Sequence, residues 1–268
     1  MIRAAVLGSP ISHSLSPALH TAAYEFLGIQ GEYTSVEVRA NELAQFLLTC
    51  DDSWTGFSLT MPLKEEVLTL ASEIDDLALR IQSANTLVRA KSGWRASTTD
   101  VKGFQGALRA RQFHEFRTVL LIGSGATARA AAAACDNTPR SITVIHRNPR
   151  RESAMRRSAP QATIEFLPWD SPLPNVDLMI NTTPAGVADH LISQIKKRPS
   201  GLYFEALYNP WPTKLLAHWR KLEGEVIDGL DLLVYQAIEQ VALMTQTRVD
   251  PLSLAPILRD AGLKGLLK

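Results

Sequence analysis

Apolar and polar positions change period repeatedly along the chain, and each change marks an element. The apolar run Ala4 to Leu7 predicts a buried strand, which leads into the stretch GSPISHSLSP (Gly8 to Pro17) and then a helix from Pro17. Tyr33 to Val38 reads as a second strand, Asn41 to Thr49 as a helix, and Gly56 to Leu59 as a short strand. Lys64 to Ile74 predicts a helix ending near an acidic pair, and Asn85 to Arg89 is again strand-like. The chain turns polar near Asp100. From Thr118 a second series begins with TVLLIG and continues through SITVIHRN, VDLMINTTP and LYFEALYNPWPT, all read as strands. A helix follows from Gly229, with Val234, Ala237, Ile238, Val241 and Ala242 on one apolar face. Alternating strands and helices predict an α/β fold of parallel sheets covered by helices, with a domain boundary close to Val101. No internal repeat, low-complexity tract or long linker interrupts the pattern.

Composition limits what such a fold does. With 268 residues, 46% of them apolar, the chain fills one large domain or two modest ones. Lys and Arg number 28 against 27 Asp and Glu, so no global field gathers nucleic acid or an anionic membrane. Any bound anion is therefore held locally. Cys50 and Cys135 lie far apart, with no CxxC spacing and no His cluster, so neither a disulfide framework nor a metal site is expected. The chain has no apolar run of the roughly 18 residues that span a membrane, nor a secretory leader. A cytoplasmic protein with free thiols is expected.

The turn GSGATAR (Gly123 to Arg129) follows a strand and opens an Ala-rich helix. Glycines there permit a tight turn and close approach of a diphosphate to the helix N-terminus. A carboxylate for a ribose hydroxyl belongs ~20 residues further on, at the end of the next strand. Here that place holds His146 and Arg147, with Arg150 and Arg151 close behind. Guanidinium groups pair with phosphate oxygens, so a ribose 2′-phosphate, and hence NADP, is favoured over NAD; a solvated basic loop is the plainer alternative. Ala206, Tyr208 and Gln236 fall at strand or helix ends where they would face a strand-end crevice.

The first half carries the chemistry. Lys64 sits at a strand-to-helix turn in GFSLTMPLKEE, and Asn85 and Asp100 end polar segments. A lysine and an aspartate in contact make a proton-transfer pair suited to carbonyl reduction, because hydride addition creates an alkoxide. Ser14 and Ser16 either bind a polyol or carboxylate, or, in the plainer reading, the serines cap the following helix and the prolines shape its entry.

In this order across almost the whole chain, GSPISHSLSPALH, SLTMPLK, SANTL, TTDVKG, GSGATAR, NTTPAG, YNPWPT and GLDLLVYQA resemble the shikimate dehydrogenase family. Each motif alone is weak; the ordered set is specific. The resemblance implies reversible, NADP(H)-linked reduction of 3-dehydroshikimate to shikimate, a step toward chorismate and the aromatic amino acids. It implies a substrate domain from residues 1–101 with 232–268, an inserted NADP-binding Rossmann domain at 102–231, and a cleft between them. Lys64 then matches the catalytic lysine and Asp100 its partner carboxylate. Ser14 and Ser16 match the substrate carboxylate site, and Thr60, Asn85, Tyr208 and Gln236 further substrate contacts. Gly123, Ser124, Gly125, Ala126 and Thr127 match the diphosphate loop, and His146, Arg147, Asn148, Arg150 and Arg151 the adenosine phosphate loop. Ala206 and Gly229 match two more cofactor contacts. A monomer or homodimer acting on a small molecule is implied.

The chain departs from the family pattern at Ser58 and Thr98, where asparagine is usual, at Leu232, usually methionine, and at His146, which often is asparagine. Ser58 and Thr98 leave room for a quinate/shikimate dehydrogenase of broader specificity. A folate-linked methylene dehydrogenase would not explain the serine-rich opening. A non-catalytic NADP-binding regulator would have no use for both Lys64 and Asp100.

Overall fold

The computed structural model describes residues 1–137 and 140–267, and the chain divides into two compact units, Met1–Gly103 with Leu233–Lys268, and Phe104–Leu232.

The first unit runs β1 (Ile2–Gly8), α1 (Ser16–Leu27), β2 (Gly31–Glu37), α2 (Leu43–Leu48), β3 (Gly56–Leu59), α3 (Leu63–Glu66), β4 (Glu73–Ile74), α4 (Asp76–Ile81), β5 (Thr86–Arg89) and β6 (Trp94–Ser97). Its sheet has the order β2-β1-β3-β5-β6-β4. Leu7, Phe57, Leu59, Leu63, Val67, Leu87 and Trp94 build one core against it. The expectation of parallel pairing fails here, since β3 with β5 and β5 with β6 run antiparallel. The reason is a tight turn: Ala90 N–H donates to Gly93 O at 3.1 Å, and Gly93 takes φ +75°, folding β5 directly onto β6. The helix predicted over Lys64–Ile74 also fails. It stops at Glu66, passes through a 3-10 turn (Val67–Thr69) and ends as β4, parallel to β6. Val67, Leu68, Leu70, Ala71 and Ile74 all reach the core as a helical pattern would, but Ser72 and Asp75 donate their N–H groups to Trp94 O and Ala96 O instead of to a preceding turn. Sheet-edge pairing overrides the periodicity.

In the second unit come β7 (Thr118–Ile122), α6 (Ala126–Ala134), β8 (Ser141–His146), α7 (Glu152–Ser158), β9 (Thr163–Pro168), β10 (Leu178–Asn181), β11 (Leu202–Glu205), α8 (Lys214–Lys221) and β12 (Val226–Ile227). These strands are parallel throughout, in the order β12-β11-β10-β7-β8-β9. The chain reverses its direction of travel between β7 and β10, the switch point where open α/β sheets bind ligands at the carboxyl ends of strands. Ala128 and Ala130–Ala134 are buried along α6, and methyl side chains let that helix lie close on the sheet. The chain leaves the first unit within α5 (Asp100–Ala110), returns within α9 (Gly229–Thr245) and ends in α10 (Pro251–Leu266), which packs on α1.

Candidate active site

In the first unit the turn after β1 and the turn after β3 interlock. A Cβ at Gly8 would lie 2.3 Å from Thr60 Cγ2 and 2.8 Å from Met61 O, so only glycine permits the approach. Ser9 N–H donates to Met61 O at 3.0 Å and Thr60 N–H to Leu7 O at 2.9 Å, fixing the serine stretch beside the lysine turn. At the entry to α1, Ser14 Oγ accepts from Ser16 N–H at 3.3 Å, which leaves the half-buried Ser14 hydroxyl to donate elsewhere. The plainer expectation that the serines cap α1 fails: the N-cap position is Leu15, with no side-chain cap, and Ser14 only braces the turn before it, while Pro17 stands in the first turn of the helix.

Lys64 lies in α3, whose Lys64 O accepts from Ala84 N–H at 2.9 Å. Its Nζ meets Asp100 Oδ2 at 2.6 Å, with the two side chains 15% and 3% exposed. Asp100 opens α5, where the unpaired N–H groups of a helix start favour a carboxylate. Its other oxygen accepts from Asn85 Nδ2 at 2.9 Å. The two hydrogens of the Asn85 amide are shared between Asp100 and two further acceptors, Thr99 Oγ1 at 2.9 Å and Gln236 Oε1 at 3.1 Å. Thr99 N–H can only donate, and it meets Asn85 Oδ1 at 2.7 Å, so the amide has one orientation, with its NH2 toward Asp100. Lys64, Asp100, Asn85 and Gln236 therefore form one hydrogen-bonded cluster. A half-buried ammonium against an oriented carboxylate can stabilise an oxyanion and give it a proton.

Behind this cluster lies a second polar group that sequence reasoning missed. His20 stacks on Tyr33 at 3.8 Å, and its Nε2 lies 3.3 Å from Gln240 Oε1. Burial pushes the His20 imidazole down to about 3, against the weaker opposing pull of Gln240. An imidazole depressed on folding binds its proton more readily in the unfolded chain, so stability falls as pH drops through the unfolded value near 6.5 toward the folded value. Going from pH 7 to pH 5 should cost about 2 kcal/mol through this residue alone. Urea denaturation at the two pH values checks this: His20→Phe should flatten the dependence, and an unchanged slope would contradict it.

The second unit gathers the other expected residues. Gly123 adopts φ +111°, and a Cβ there would lie 2.7 Å from Thr182 Oγ1. Gly125 precedes α6, so the N–H groups of Ala126 and Thr127 lie in its first turn, where a helix has no internal acceptors for them. Arg151 Nη1 lies 3.4 Å from where a Cβ at Gly125 would be, which places a guanidinium over the glycine turn. Arg147, Asn148, Arg150 and Arg151 are exposed, and the Arg147 guanidinium lies 5.1 Å from the Trp169 ring. His146 instead points inward: Nδ1 is 3.0 Å from Asn148 O and Nε2 3.3 Å from Glu152 Oε1, so its side chain shapes the loop. Such a glycine turn, helix start and arginine loop fit a dinucleotide with an extra phosphate.

Ala206 N–H donates to Asn181 O at 2.9 Å, and a Cβ at Gly229 would lie 2.2 Å from Leu207 O. Tyr208, half-buried after β11, belongs to the second unit, whereas the other expected substrate contacts belong to the first. Glu205, unnoticed in the sequence, is fully buried and accepts from Tyr203 Oη at 2.7 Å, Thr213 Oγ1 at 2.8 Å, Asn181 Nδ2 at 3.2 Å and Leu207 N at 3.3 Å. Asn181 Oδ1 in turn holds Thr183, so one carboxylate ties the NTTP turn to the loop after β11 and to the start of α8.

Residues 6–87 match the family model of the shikimate dehydrogenase substrate binding domain. The NADP(+)-dependent shikimate dehydrogenase of Thermosynechococcus vestitus is 34% identical over 86% of this chain and 85% of its own. The chain belongs to the shikimate dehydrogenase family. The crystal structure of the Mycobacterium tuberculosis shikimate dehydrogenase superposes with a TM-score of 0.86 at 34% identity, covering 96% of this chain and 99% of that one. The Thermus thermophilus shikimate 5-dehydrogenase in complex with shikimate gives 0.87 at 29% identity over the whole of both chains.

Against the pattern of the shikimate dehydrogenase family, the departures have specific surroundings. Thr98 makes no hydrogen bond to Asp100 among the described residues; its N–H donates to Asp75 Oδ2 at 3.3 Å, and its buried hydroxyl finds no partner there. The carboxylate is oriented by Asn85 instead. Ser58 is taken up by Tyr33 and Gln240, at 2.6 and 2.9 Å.

Proposed function

We propose that this chain is an NADP-dependent shikimate dehydrogenase that reversibly reduces 3-dehydroshikimate to shikimate. The observation that carries the reading is Lys64 Nζ at 2.6 Å from a carboxylate whose orientation Asn85 fixes. Lys64 donates the proton that the ketone oxygen needs and places positive charge where the alkoxide develops, while Asp100 holds the ammonium in place. Ser14 and Ser16 bind the substrate carboxylate, and Thr60, Asn85, Tyr208 and Gln236 its hydroxyls. NADPH, when bound, supplies the hydride. The Gly123–Thr127 turn holds its diphosphate, the loop from His146 to Arg151 its adenosine phosphate, and Ala206 and Gly229 contribute backbone contacts. The unit of residues 1–103 and 233–268 is the substrate domain, and residues 104–232 form the nucleotide domain. No helix among the described residues is long and apolar enough to cross a membrane. The reading places the protein in the cytoplasm as a monomer or homodimer.

Loss of NADPH absorbance with 3-dehydroshikimate tests the function, with 3-dehydroquinate alongside. Turnover of the first alone supports it. Comparable rates with both would favour a quinate/shikimate enzyme, and cofactor binding without turnover a regulator. Neutral residues at Arg147 and Arg151 should weaken NADPH by about 2 kcal/mol, or ~30-fold, and leave NADH nearly unchanged. Equal losses for the two cofactors would sink the 2′-phosphate assignment.

A further inference from the structure

We infer that Gln240 is a positioning residue for the Lys64 and Asp100 pair, an inference that rests on the function proposed above. Gln240 follows Gln236 by about one helical turn on α9 and is 4% exposed. Its Nε2 donates to Asn85 O and to Thr86 Oγ1, each at 3.3 Å. A carbonyl oxygen only accepts, so the amide has one orientation, with Oε1 facing Ser58 and His20. Thr86 then passes its own hydrogen to Asn85 Oδ1 at 3.0 Å.

The donors and acceptors run in one sense. Tyr33 donates to Ser58, Ser58 to Gln240, Gln240 to Thr86, Thr86 to Asn85, and Asn85 to Asp100. Every hydroxyl and amide in this chain has its hydrogen directed toward the next member, and such chains polarise and stiffen one another in a low-dielectric interior. Its last member is the carboxamide that sets Asp100 Oδ1. Gln240 makes no hydrogen bond to Lys64 or Asp100 among the described residues, and its polar link to them runs through Asn85. Without it, Thr86 Oγ1 loses the Gln240 donor and the Asn85 backbone carbonyl loses one of its two donors, keeping Leu59 N–H at 2.7 Å among the described residues. Thr99 N–H still sets which way the Asn85 amide faces, but the amide loses one of its supports and holds the carboxylate less tightly against the ammonium, and small misplacements of reacting groups slow chemistry steeply.

Three substitutions separate positioning from packing. Gln240→Met keeps the volume and removes every hydrogen bond; Thr86→Val keeps Gln240 and cuts its link to Asn85 Oδ1; Thr86→Ser restores the link. We expect kcat for 3-dehydroshikimate reduction to fall by about tenfold in Gln240→Met and in Thr86→Val, with the NADPH KM unchanged. The double variant should be no slower than the slower single variant, because both break one path. Thr86→Ser should return kcat to within about twofold of wild type.

A second readout needs no turnover: labelling of Lys64 by an amine-directed reagent, read by mass spectrometry against exposed Lys91. Loosening the ion pair should raise it several-fold in Gln240→Met and Thr86→Val. Wild-type kcat and labelling in a folded Gln240→Met protein would overturn the inference, as would a loss in Gln240→Met that Thr86→Val does not share. If Gln240→Met fails to fold, Thr86→Val and Thr86→Ser decide. Absence of turnover in the wild-type protein would defeat the proposed function, and the labelling result would then decide this inference by itself.

Discussion

Lys64→Ala is expected to lower kcat by about three orders of magnitude while changing KM for 3-dehydroshikimate only a few-fold, since proton donation and alkoxide stabilisation are realised mainly in the transition state. The substitution also strands Asp100, 3% exposed and held by Asn85, without its cation. Leaving one member of a buried pair alone costs about 3 kcal/mol, so the variant should also melt earlier. Steady-state kinetics well below the melting temperature separates the two effects. Asp100→Asn keeps a polar partner for Lys64 and removes the charge; it should also lose most of kcat, with a smaller loss of stability. A Lys64→Ala protein with wild-type kcat would remove the lysine from the chemistry.

The second large effect concerns stability. Glu205 is 0% exposed and accepts from two hydroxyls, one amide and one backbone N–H. Burial raises its carboxyl above the usual carboxylate range, and the donors from Tyr203 and Thr213 pull it back. Glu205→Ala strands those donors in the core of the second unit. At about 1 to 3 kcal/mol for each unsatisfied group, with some relaxation, a loss of about 4 kcal/mol is expected. Glu205→Gln keeps one acceptor, lets the hydroxyls rotate, and should cost about half as much. Denaturant unfolding followed alongside NADPH binding checks both, and a Glu205→Ala protein within 1 kcal/mol of wild type would contradict the account, about the range of an ordinary surface change.

The parallel unit was the more legible of the two. TVLLI, SITVIH and LMIN are short apolar runs bounded by turn residues, and each emerges as a strand. The GSG turn falls where β7 meets α6, because only glycine tolerates the conformation at Gly123. In the other unit, Leu63 through Ile74 carries a helical period into a segment that needs it only for burial, and the ladder to β6 decides its conformation. The helix α10 escaped notice although Asp250 caps it and Pro251 opens it, both readable start signals.

Within the site, Lys64, Asn85 and Asp100 stand out as residue types at turns, but their contact spans 36 residues between lysine and aspartate. No local pattern encodes such a meeting; it follows from the end of β3 lying beside the starts of β5 and α5. Gln240 was legible in principle, as a second amide four positions after Gln236 on one helix face. His20 and Glu205 carried no such signal, since one isolated titratable residue in an apolar segment reads the same whether it ends up inside or outside.

The proposed reaction moves hydride from NADPH to the ketone carbon of 3-dehydroshikimate. NADPH deuterated at the transferring position, incubated with the protein and 3-dehydroshikimate, tests it directly by NMR of the product. Shikimate carrying one deuterium on the new carbinol carbon is expected for each NADPH consumed. Cofactor bound without labelled shikimate would contradict it.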